Sequence, residues 1–364
     1  MNKGYLVLET GDILEGKWIG HQDETMGEVV FNTSMTGYQE MITDPSYAGQ
    51  IVTLCYPLVG NYGMNPDDNE SQKPACQGVI VGESCDQPSN GKMTSSFSDQ
   101  LATWGIPGLA EVNTRKLVSL IRKHKTLKGK ITANPKTVTV FPEPLFAPGQ
   151  LVEQVAVEKA VSYIGQGKHV ILLDFGYKAS ILNDLLKQNV RVTVVPYDTS
   201  LKEIQNMNPD GILISNGPGN PDDHAMHFPK IKALTDLYPT LGICLGHQLI
   251  AMAYGASSKK MAFGHRGGNH PVLDHETGKI WITSQNHSYE IDPESCIDLE
   301  LAVRFTNVND TGIEGFFHPE KPVTTVQFHP EARPGPVDTD YIFDEFIESL
   351  VCTGGKSSCQ MQQV

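Results

Sequence analysis

The pattern of apolar and polar positions changes character about halfway along the chain. Over roughly the first 140 residues, short apolar runs alternate with Gly, Pro and Asn, which predicts a β-rich α/β domain. From Lys168 the runs lengthen, and His169–Phe175 is almost continuously apolar, typical of a strand buried on both faces of a parallel sheet. Helical spacing follows each such run. The second half therefore predicts an open, mostly parallel sheet with helices on both faces.

Proline-rich and polar stretches mark the predicted boundaries. They divide the chain into an N-terminal domain over residues 1–145, a linker over 146–167, a second domain over 168–352 and a tail over 353–364. The second domain is expected to end with β-hairpins after Lys279 and an amphipathic helix over Tyr341–Val351. The Gly-, Ser- and Gln-rich tail is predicted to be disordered.

Composition narrows the functional classes. The chain carries 42 acidic and 28 basic residues, a net charge of −14, which disfavours non-specific binding to nucleic acid or anionic lipid. No run approaches the roughly 18 apolar residues of a membrane span. The N-terminal segment meets Glu9 too early for a secretory signal, so a cytoplasmic location is expected. Seven irregularly spaced cysteines without a Cys-x-x-Cys pair predict neither a disulfide framework nor a zinc site, and no metal site is predicted.

One cysteine has a distinctive setting. Gly242-Ile243-Cys244-Leu245-Gly246 lies between a predicted strand and a predicted helix, the arrangement of a nucleophile elbow with cysteine in place of serine. The N-terminus of the following helix favours the thiolate form of Cys244. Cys244 could alternatively be a buried, unreactive cysteine. The candidate base and orienting group described next favour the nucleophile.

A thiolate nucleophile needs a base and a group that orients the base. His-Pro-Glu occurs twice. The copy at His318 lies between two predicted strands and is interpreted as a solvent-facing turn. The second copy, His329-Pro330-Glu331, directly follows an apolar strand, at the end of the sheet where catalytic groups gather. His329 is therefore predicted to be the base and Glu331 its orienting carboxylate.

A glycine-containing turn follows the strand that ends at Ile214. In Ser215-Asn216-Gly217-Pro218-Gly219, two glycines allow backbone N–H groups to approach a ligand closely. Together with the N–H of Leu245, one of them could stabilise an oxyanion. Taken alone, the segment is better explained as an ordinary Pro-Gly turn.

Together these three motifs resemble the class I, or triad, glutamine amidotransferases over roughly Lys168–Val351. The resemblance implies hydrolysis of the side-chain amide of glutamine. Cys244 would form a γ-glutamyl thioester, and His329 would protonate the departing ammonia and then activate water.

The first half resembles the N-terminal domain of carbamoyl-phosphate synthase small subunits. The matching segments are 26–33, 35–40, 43–47, 56–63 and 114–117, with 263–271 in the second half. The resemblance implies a separate large subunit that makes carbamoyl phosphate from bicarbonate and two ATP, for arginine or pyrimidine synthesis or both. The sequence contains no Gly-x-x-x-x-Gly-Lys-[Ser/Thr] motif. ATP and magnesium are accordingly expected only in the large subunit, no cofactor is expected in this chain, and ammonia is expected to travel through an internal passage.

The resemblance also implies a set of glutamine-binding residues. The family often has Asn-His-Gly-Phe where this chain has Asn286-His287-Ser288-Tyr289, so backbone contacts are expected there. Without the resemblance, Ser46 would be assigned only to a turn. The implied residues are Ser46, Gly217, Gly219, Leu245, Gln248, Asn286, Ser288 and Tyr289.

Two other functions remain open at this point. An independent cysteine hydrolase, such as a γ-glutamyl hydrolase or peptidase, would not need the N-terminal half. A catalytically silent scaffold subunit would not need Cys244, His329 and Glu331.

Overall fold

The computed structural model describes residues 3–138 and 140–352, so the predicted disordered tail at 353–364 lies outside the described residues. In the first half, strands close into a barrel in the order β1-β2-β6-β5-β4-β3-β7. These are β1 (Lys3–Leu8), β2 (Ile13–Gly20), β3 (Thr25–Asn32), β4 (Gln50–Val59), β5 (Gly78–Ser84), β6 (Pro107–Ala110) and β7 (Leu127–Thr132). Antiparallel pairing of β1 with β7 completes the closure, which removes exposed strand edges.

Three helices accompany the barrel: α1 (Tyr38–Thr43), α2 (Phe97–Trp104) and α3 (Thr114–His124). The apolar spacing that predicts α3 places Leu117 and Ile121 in the core, where they are essentially fully buried with Leu6 and Ile51 of the strands. The sequence predicted a β-rich domain here without predicting that it closes into a barrel.

The second half forms a sheet in the order β14-β13-β15-β16-β17-β12-β11-β9-β10-β8. Its helices are α4 (Gln150–Val155), α5 (Ala179–Lys187), α6 (Leu201–Asn206), α7 (Phe228–Leu237), α8 (Leu245–Ala253) and α9 (Tyr341–Cys352). Its strands are β8 (Val161–Tyr163), β9 (His169–Asp174), β10 (Arg191–Pro196), β11 (Gly211–Ile214), β12 (Thr240–Ile243), β13 (Ser258–Asp274), β14 (Ile280–Ile291), β15 (Ala302–Asn307), β16 (Ile313–Phe317) and β17 (Val323–Val326).

The parallel centre of this sheet is buried on both faces, as the sequence predicted. Strands β10, β9, β11, β12 and β17 pair in parallel. Along β9, Ile171 and Leu173 pack with residues of α6, α7 and α8, while Val170 and Leu172 pack with residues of α5 and α9. Helices therefore cover both faces, and the open α/β architecture is confirmed.

Residues 146–167, predicted to be a linker, carry α4 and the short edge strand β8. Strand β8 pairs antiparallel with β10, through Val161 and Val194 among others. Val161 is 42% exposed, so this strand is held mainly by backbone hydrogen bonds and shows no buried apolar pattern. Strand signals based on apolar side chains do not detect such a segment.

The turn between β12 and α8 brings backbone segments into very close approach. Cys244 has φ 53° and ψ −104°, a conformation that L-residues rarely adopt. Two residues later, a Cβ on Gly246 would fall well inside the van der Waals contact distance of the Ile214 carbonyl oxygen. Glycine at 246 is therefore needed for α8 to lie against β11.

We expect Gly246→Ala to lower the free energy of unfolding by about 2 kcal/mol or more, because the clash is with backbone and no side-chain rotamer relieves it. Denaturant unfolding measures the loss. Gly91→Ala is the matched control, since a Cβ at Gly91 meets no atom within 4 Å. Equal stability of the two variants would show that the elbow tolerates a side chain at 246.

Candidate active site

Cys244 lies at the carboxyl end of β12 and occupies the N-cap position of α8. The residue is 2% exposed, but it borders a cavity of about 410 Å³. Its Sγ lies 3.7 Å from the backbone oxygen of Asn286 and 3.6 Å from Nε2 of Gln327. The thiol is thus held in a polar setting beside an open space.

His329 and Glu331 form a buried pair just beyond the end of β17. His329 Nδ1 lies 2.6 Å from Glu331 Oε1, and both residues are 2% exposed. Among the described residues, His329 Nε2 has no hydrogen-bond partner. Burial alone would lower the pKa of His329, but the charges of Glu331 and Cys244 outweigh it and raise that pKa well above the ordinary value. A raised pKa favours a protonated imidazole beside Cys244.

Lys178 is a member of the site that the sequence analysis missed. Its Nζ lies 3.1 Å from Glu331 Oε1 and donates to the Ala332 carbonyl at 2.6 Å. Burial would raise the pKa of Glu331, but Lys178 and His329 outweigh it and hold the pKa well below the usual range. Lys178 therefore keeps the orienting carboxylate ionised in a place that water does not reach.

A carboxylate of the N-terminal domain joins this network. Glu70 Oε2 accepts from both the backbone N–H and the hydroxyl of Ser180, at 3.0 and 2.6 Å. Together with Glu331, the charge of Glu70 helps to raise the pKa of Lys178 despite its burial. The two domains thus meet directly behind the His329–Glu331 pair.

All eight predicted glutamine-binding residues line the cavity beside Cys244. They are Ser46, Gly217, Gly219, Leu245, Gln248, Asn286, Ser288 and Tyr289. The structure thus brings these residues, drawn from both domains, together in one place. Their proposed roles toward a ligand are taken up below.

Residues of the N-terminal domain hold part of the cavity wall. Ser46 Oγ accepts from Asn216 Nδ2 at 2.9 Å, and Asp44 Oδ2 accepts from Asn286 Nδ2 at 2.8 Å. The backbone N–H of Ser46 also donates to Asp44 Oδ1 at 2.8 Å, a local turn cap. Ser46 therefore serves the turn and also joins the domains at the cavity.

Side-chain amides and a guanidinium hold a further part of the cavity wall. Gln248 Nε2 donates to the Tyr289 carbonyl at 2.7 Å and to Gln327 Oε1 at 2.8 Å. The buried guanidinium of Arg266 donates to the Ser288 hydroxyl and to the Phe263 carbonyl. Arg266 also borders the cavity, where sequence reasoning had assigned it no binding role.

The other copy of His-Pro-Glu forms a turn, but its predicted exposure is wrong. His318 is 8% exposed, and its Nδ1 accepts from the backbone N–H groups of Glu320 and Lys321 at 3.0 and 3.2 Å. Its ring contacts Tyr254 at a centroid distance of 5.8 Å. The imidazole is buried because it satisfies the turn's own backbone donors.

His247, the first-turn residue next to the elbow, is a structural residue. It is fully buried, stacks on Phe316 and forms a hydrogen bond through Nδ1 to Thr325 Oγ1 at 2.8 Å. Burial lowers its pKa to about 3, so the ring stays neutral.

Among the described helices, none has both the length and the apolar character needed to cross a membrane.

Comparison with known proteins assigns each half of the chain to a protein family. Residues 171–349 match the family model described as glutamine amidotransferase class-I, and residues 6–131 match that of the carbamoyl-phosphate synthase small chain, CPSase domain. The carbamoyl phosphate synthase small chain of Listeria monocytogenes serotype 4b is 50% identical over 353 residues, 96% of this chain and 97% of that protein.

Relatives with pathway-specific names are similar to a comparable degree. The arginine-specific small chain of Bacillus subtilis is 46% identical and the pyrimidine-specific small chain of Halalkalibacterium halodurans is 49% identical. Each comparison covers 96% of this chain and 97% of the relative. The chain therefore belongs to the family of carbamoyl phosphate synthase small chains, glutamine-hydrolysing subunits with a class I amidotransferase domain.

Proposed function

We propose that this chain hydrolyses L-glutamine with Cys244, His329 and Glu331, and that it delivers the ammonia to a separate large subunit that makes carbamoyl phosphate from bicarbonate and two ATP. The observation that carries the proposal is the placement of Cys244 at the cavity beside a buried His329–Glu331 pair, whose remaining ring nitrogen is unpaired among the described residues.

In the first step, the Cys244 thiolate attacks the side-chain carbonyl of glutamine. The developing oxyanion is stabilised by the backbone N–H of Leu245, which opens α8 and so has no acceptor within that helix, and by a backbone N–H of the Gly217–Gly219 turn. His329 gives its proton to the amide nitrogen as the C–N bond breaks. The products are ammonia and a γ-glutamyl thioester on Cys244.

In the second step, the now neutral His329 takes a proton from water as the oxygen attacks the thioester carbonyl. The C–S bond breaks, glutamate leaves, and the thiolate and imidazolium are restored. Glu331 keeps the ring oriented and stabilises its positive charge, and Lys178 keeps Glu331 in place.

A second, smaller cavity beside His329 offers a place for the departing ammonia. It has a volume of about 20 Å³, room for one molecule the size of water or ammonia. His329, Lys178 and Asn286 line it from the second domain, and Asn32 and Met41 line it from the N-terminal domain. Asn286 lines both cavities, so the small cavity adjoins the wall of the larger one.

The N-terminal contribution to the cavity argues against an independent hydrolase built on the second domain alone. Asp44 and Ser46 fix Asn286 and Asn216 in the cavity wall. A separate synthetase partner is supported by the family, whose members are named small chains, and by the missing phosphate-binding motif in this sequence.

The test is to quench the chain with acid during glutamine turnover and to map covalent adducts by mass spectrometry. We expect a γ-glutamyl adduct on the peptide that contains Cys244. The adduct should be absent from Cys244→Ser. Turnover without any thioester, or an adduct on a different cysteine, would contradict the proposed chemistry.

A further inference from the structure

Three strands of the second domain bring two imidazoles and a carboxylate together behind the cavity wall. His265 lies on β13, His287 on β14 and Glu314 on β16, and one ligand atom of each lies within 4.8 Å of the other two. The side chains of His265 and Glu314 are 13% and 2% exposed, and His287 is 6% exposed. The proposed reaction assigns no role to this cluster.

Hydrogen bonds fix both imidazoles so that one ring lone pair faces the cluster. His265 Nε2 donates to Asp310 Oδ2 at 2.9 Å, which leaves Nδ1 without a hydrogen-bond partner among the described residues. His287 Nδ1 donates to the Tyr289 carbonyl at 2.8 Å, which leaves its Nε2 as an acceptor. In a metal-binding histidine, the ring nitrogen that does not bind the metal usually donates a hydrogen bond to a carboxylate or a carbonyl oxygen.

The oxygens that face these nitrogens are acceptors as well. Glu314 Oε1 accepts from Gln285 and Asn307, both at 2.9 Å, whereas the buried Oε2 has no partner in the described chain. Because the Gln285 amide nitrogen donates to Glu314, its Oε1 points to His287 Nε2 at 3.2 Å. Lone pairs therefore face lone pairs in a dry site, an arrangement that costs free energy unless a cation lies between them.

Hydrogen-bond geometry does not pair these atoms. His265 Nδ1 and Glu314 Oε1 are 3.7 Å apart, beyond hydrogen-bond distance. The carboxylates of Glu314 and Asp310 together would balance the two charges of a divalent ion.

We propose that His265, His287 and Glu314 bind one divalent transition-metal ion of the zinc or cobalt class, with Gln285 Oε1 beside it. Imidazole nitrogens and a carboxylate oxygen suit these metals. In a tetrahedral site with bond lengths of about 2.1 Å, neighbouring ligand atoms lie about 3.4 Å apart. His265 Nδ1 and Glu314 Oε1 are 3.7 Å apart, and the full set, within 4.8 Å, would draw together as the ion binds.

Such an ion would tie β13 and β16 to the part of β14 that forms the cavity wall. His287 stands between Asn286 and Ser288, both of which line the cavity. His287 itself also lines the cavity, so the bound metal would stiffen this wall directly. Sequence reasoning, which relied on cysteine spacing, predicted no metal site because these ligands lie far apart along the chain.

The test uses the full chain in a Cys244→Ser background, so that metal cannot bind the active-site thiol. The protein is loaded with Zn²⁺ or Co²⁺, passed into metal-free buffer and analysed by mass spectrometry for metal content. We expect about one equivalent per chain, visible Co²⁺ absorption of a nitrogen–oxygen site, and a rise of several degrees in Tm with metal. His265→Gln and Glu314→Gln should lose all three.

His275→Gln is the control, because His275 is an exposed histidine after β13 whose Nε2 bonds to Thr306. It should retain the metal. Circular dichroism in metal-free buffer shows whether each variant is folded. If a variant does not fold, the Co²⁺ spectrum of the parent chain still decides the question. A parent chain that retains no metal, or equal retention in His265→Gln and His275→Gln, overturns the proposal. Metal content is independent of glutamine turnover, so that result would leave the proposed function standing.

Discussion

Replacing Cys244 by serine is expected to lower glutamine hydrolysis by about 10³-fold or more while leaving the fold intact. The reason is chemical. An imidazolium at His329 can stabilise a thiolate next to it, whereas a serine hydroxyl is far too weak an acid to ionise there. Serine is close to cysteine in size, and Cys244 Sγ already has polar neighbours, so the free energy of unfolding should change by less than about 1 kcal/mol. Glutamate release and denaturant unfolding measure the two effects.

Cys85→Ser is the matched control, since Cys85 is a half-buried free cysteine of the N-terminal domain that lies outside the cavity. It should retain full activity. In a complex with the large subunit, added ammonia should restore carbamoyl phosphate synthesis to the Cys244→Ser chain. Glutaminase activity within tenfold of the unmodified chain would remove Cys244 from the mechanism.

Replacing Lys178 by methionine is expected to lower the free energy of unfolding by about 3–5 kcal/mol, the largest loss among the single changes considered. Methionine keeps most of the side-chain volume but leaves Glu331 buried without its lysine partner, and it removes the bond to the Ala332 carbonyl. We also expect kcat to fall by at least about 10-fold, which corresponds to about 1.4 kcal/mol of transition-state stabilisation. The cause is a less firmly held carboxylate behind His329.

The control is Lys187→Met at the end of α5, the helix whose N-cap position is Lys178; there an exposed lysine pairs with Asp184. Surface ion pairs contribute little to stability, so we expect the free energy of unfolding to fall by less than about 1 kcal/mol and turnover to stay unchanged. Lys178 does not line the glutamine cavity, so the loss should fall on kcat rather than KM. Lys178→Arg should recover part of kcat. An increase in KM alone would show that Lys178 acts on substrate binding, contrary to a positioning role.

The sequence predicted the placement of the proposed catalytic groups better than that of the groups that support them. Cys244, His329 and Glu331 lie in short motifs at strand ends, so local spacing predicts their placement. Lys178 pairs with Glu331, more than 150 residues away along the chain, and no local pattern links the two. For the same reason, no local pattern predicts the cluster of His265, His287 and Glu314, because only strand pairing brings these residues together.

Strand detection failed where side chains are polar or exposed. Strand β13 begins Ser258-Lys259-Lys260 and has few buried apolar positions, so it carries no strand signal despite its long pairing with β14. Barrel closure depends on the register between β1 and β7, which apolar patterning of single strands does not specify. His318 was expected to face solvent because turns usually do, but its ring accepts the turn's backbone N–H groups and is buried.

The most direct test of the central claim is the fate of the glutamine amide nitrogen in the complex with the large subunit. The complex would be supplied with glutamine labelled with ¹⁵N in the amide, bicarbonate, ATP and an excess of unlabelled ammonium ions. If this chain releases ammonia at Cys244 and passes it on internally, carbamoyl phosphate will carry the ¹⁵N label, and Cys244→Ser will yield only unlabelled product. Unlabelled carbamoyl phosphate from the intact complex, or none at all despite glutamine hydrolysis, would contradict direct delivery to such a partner.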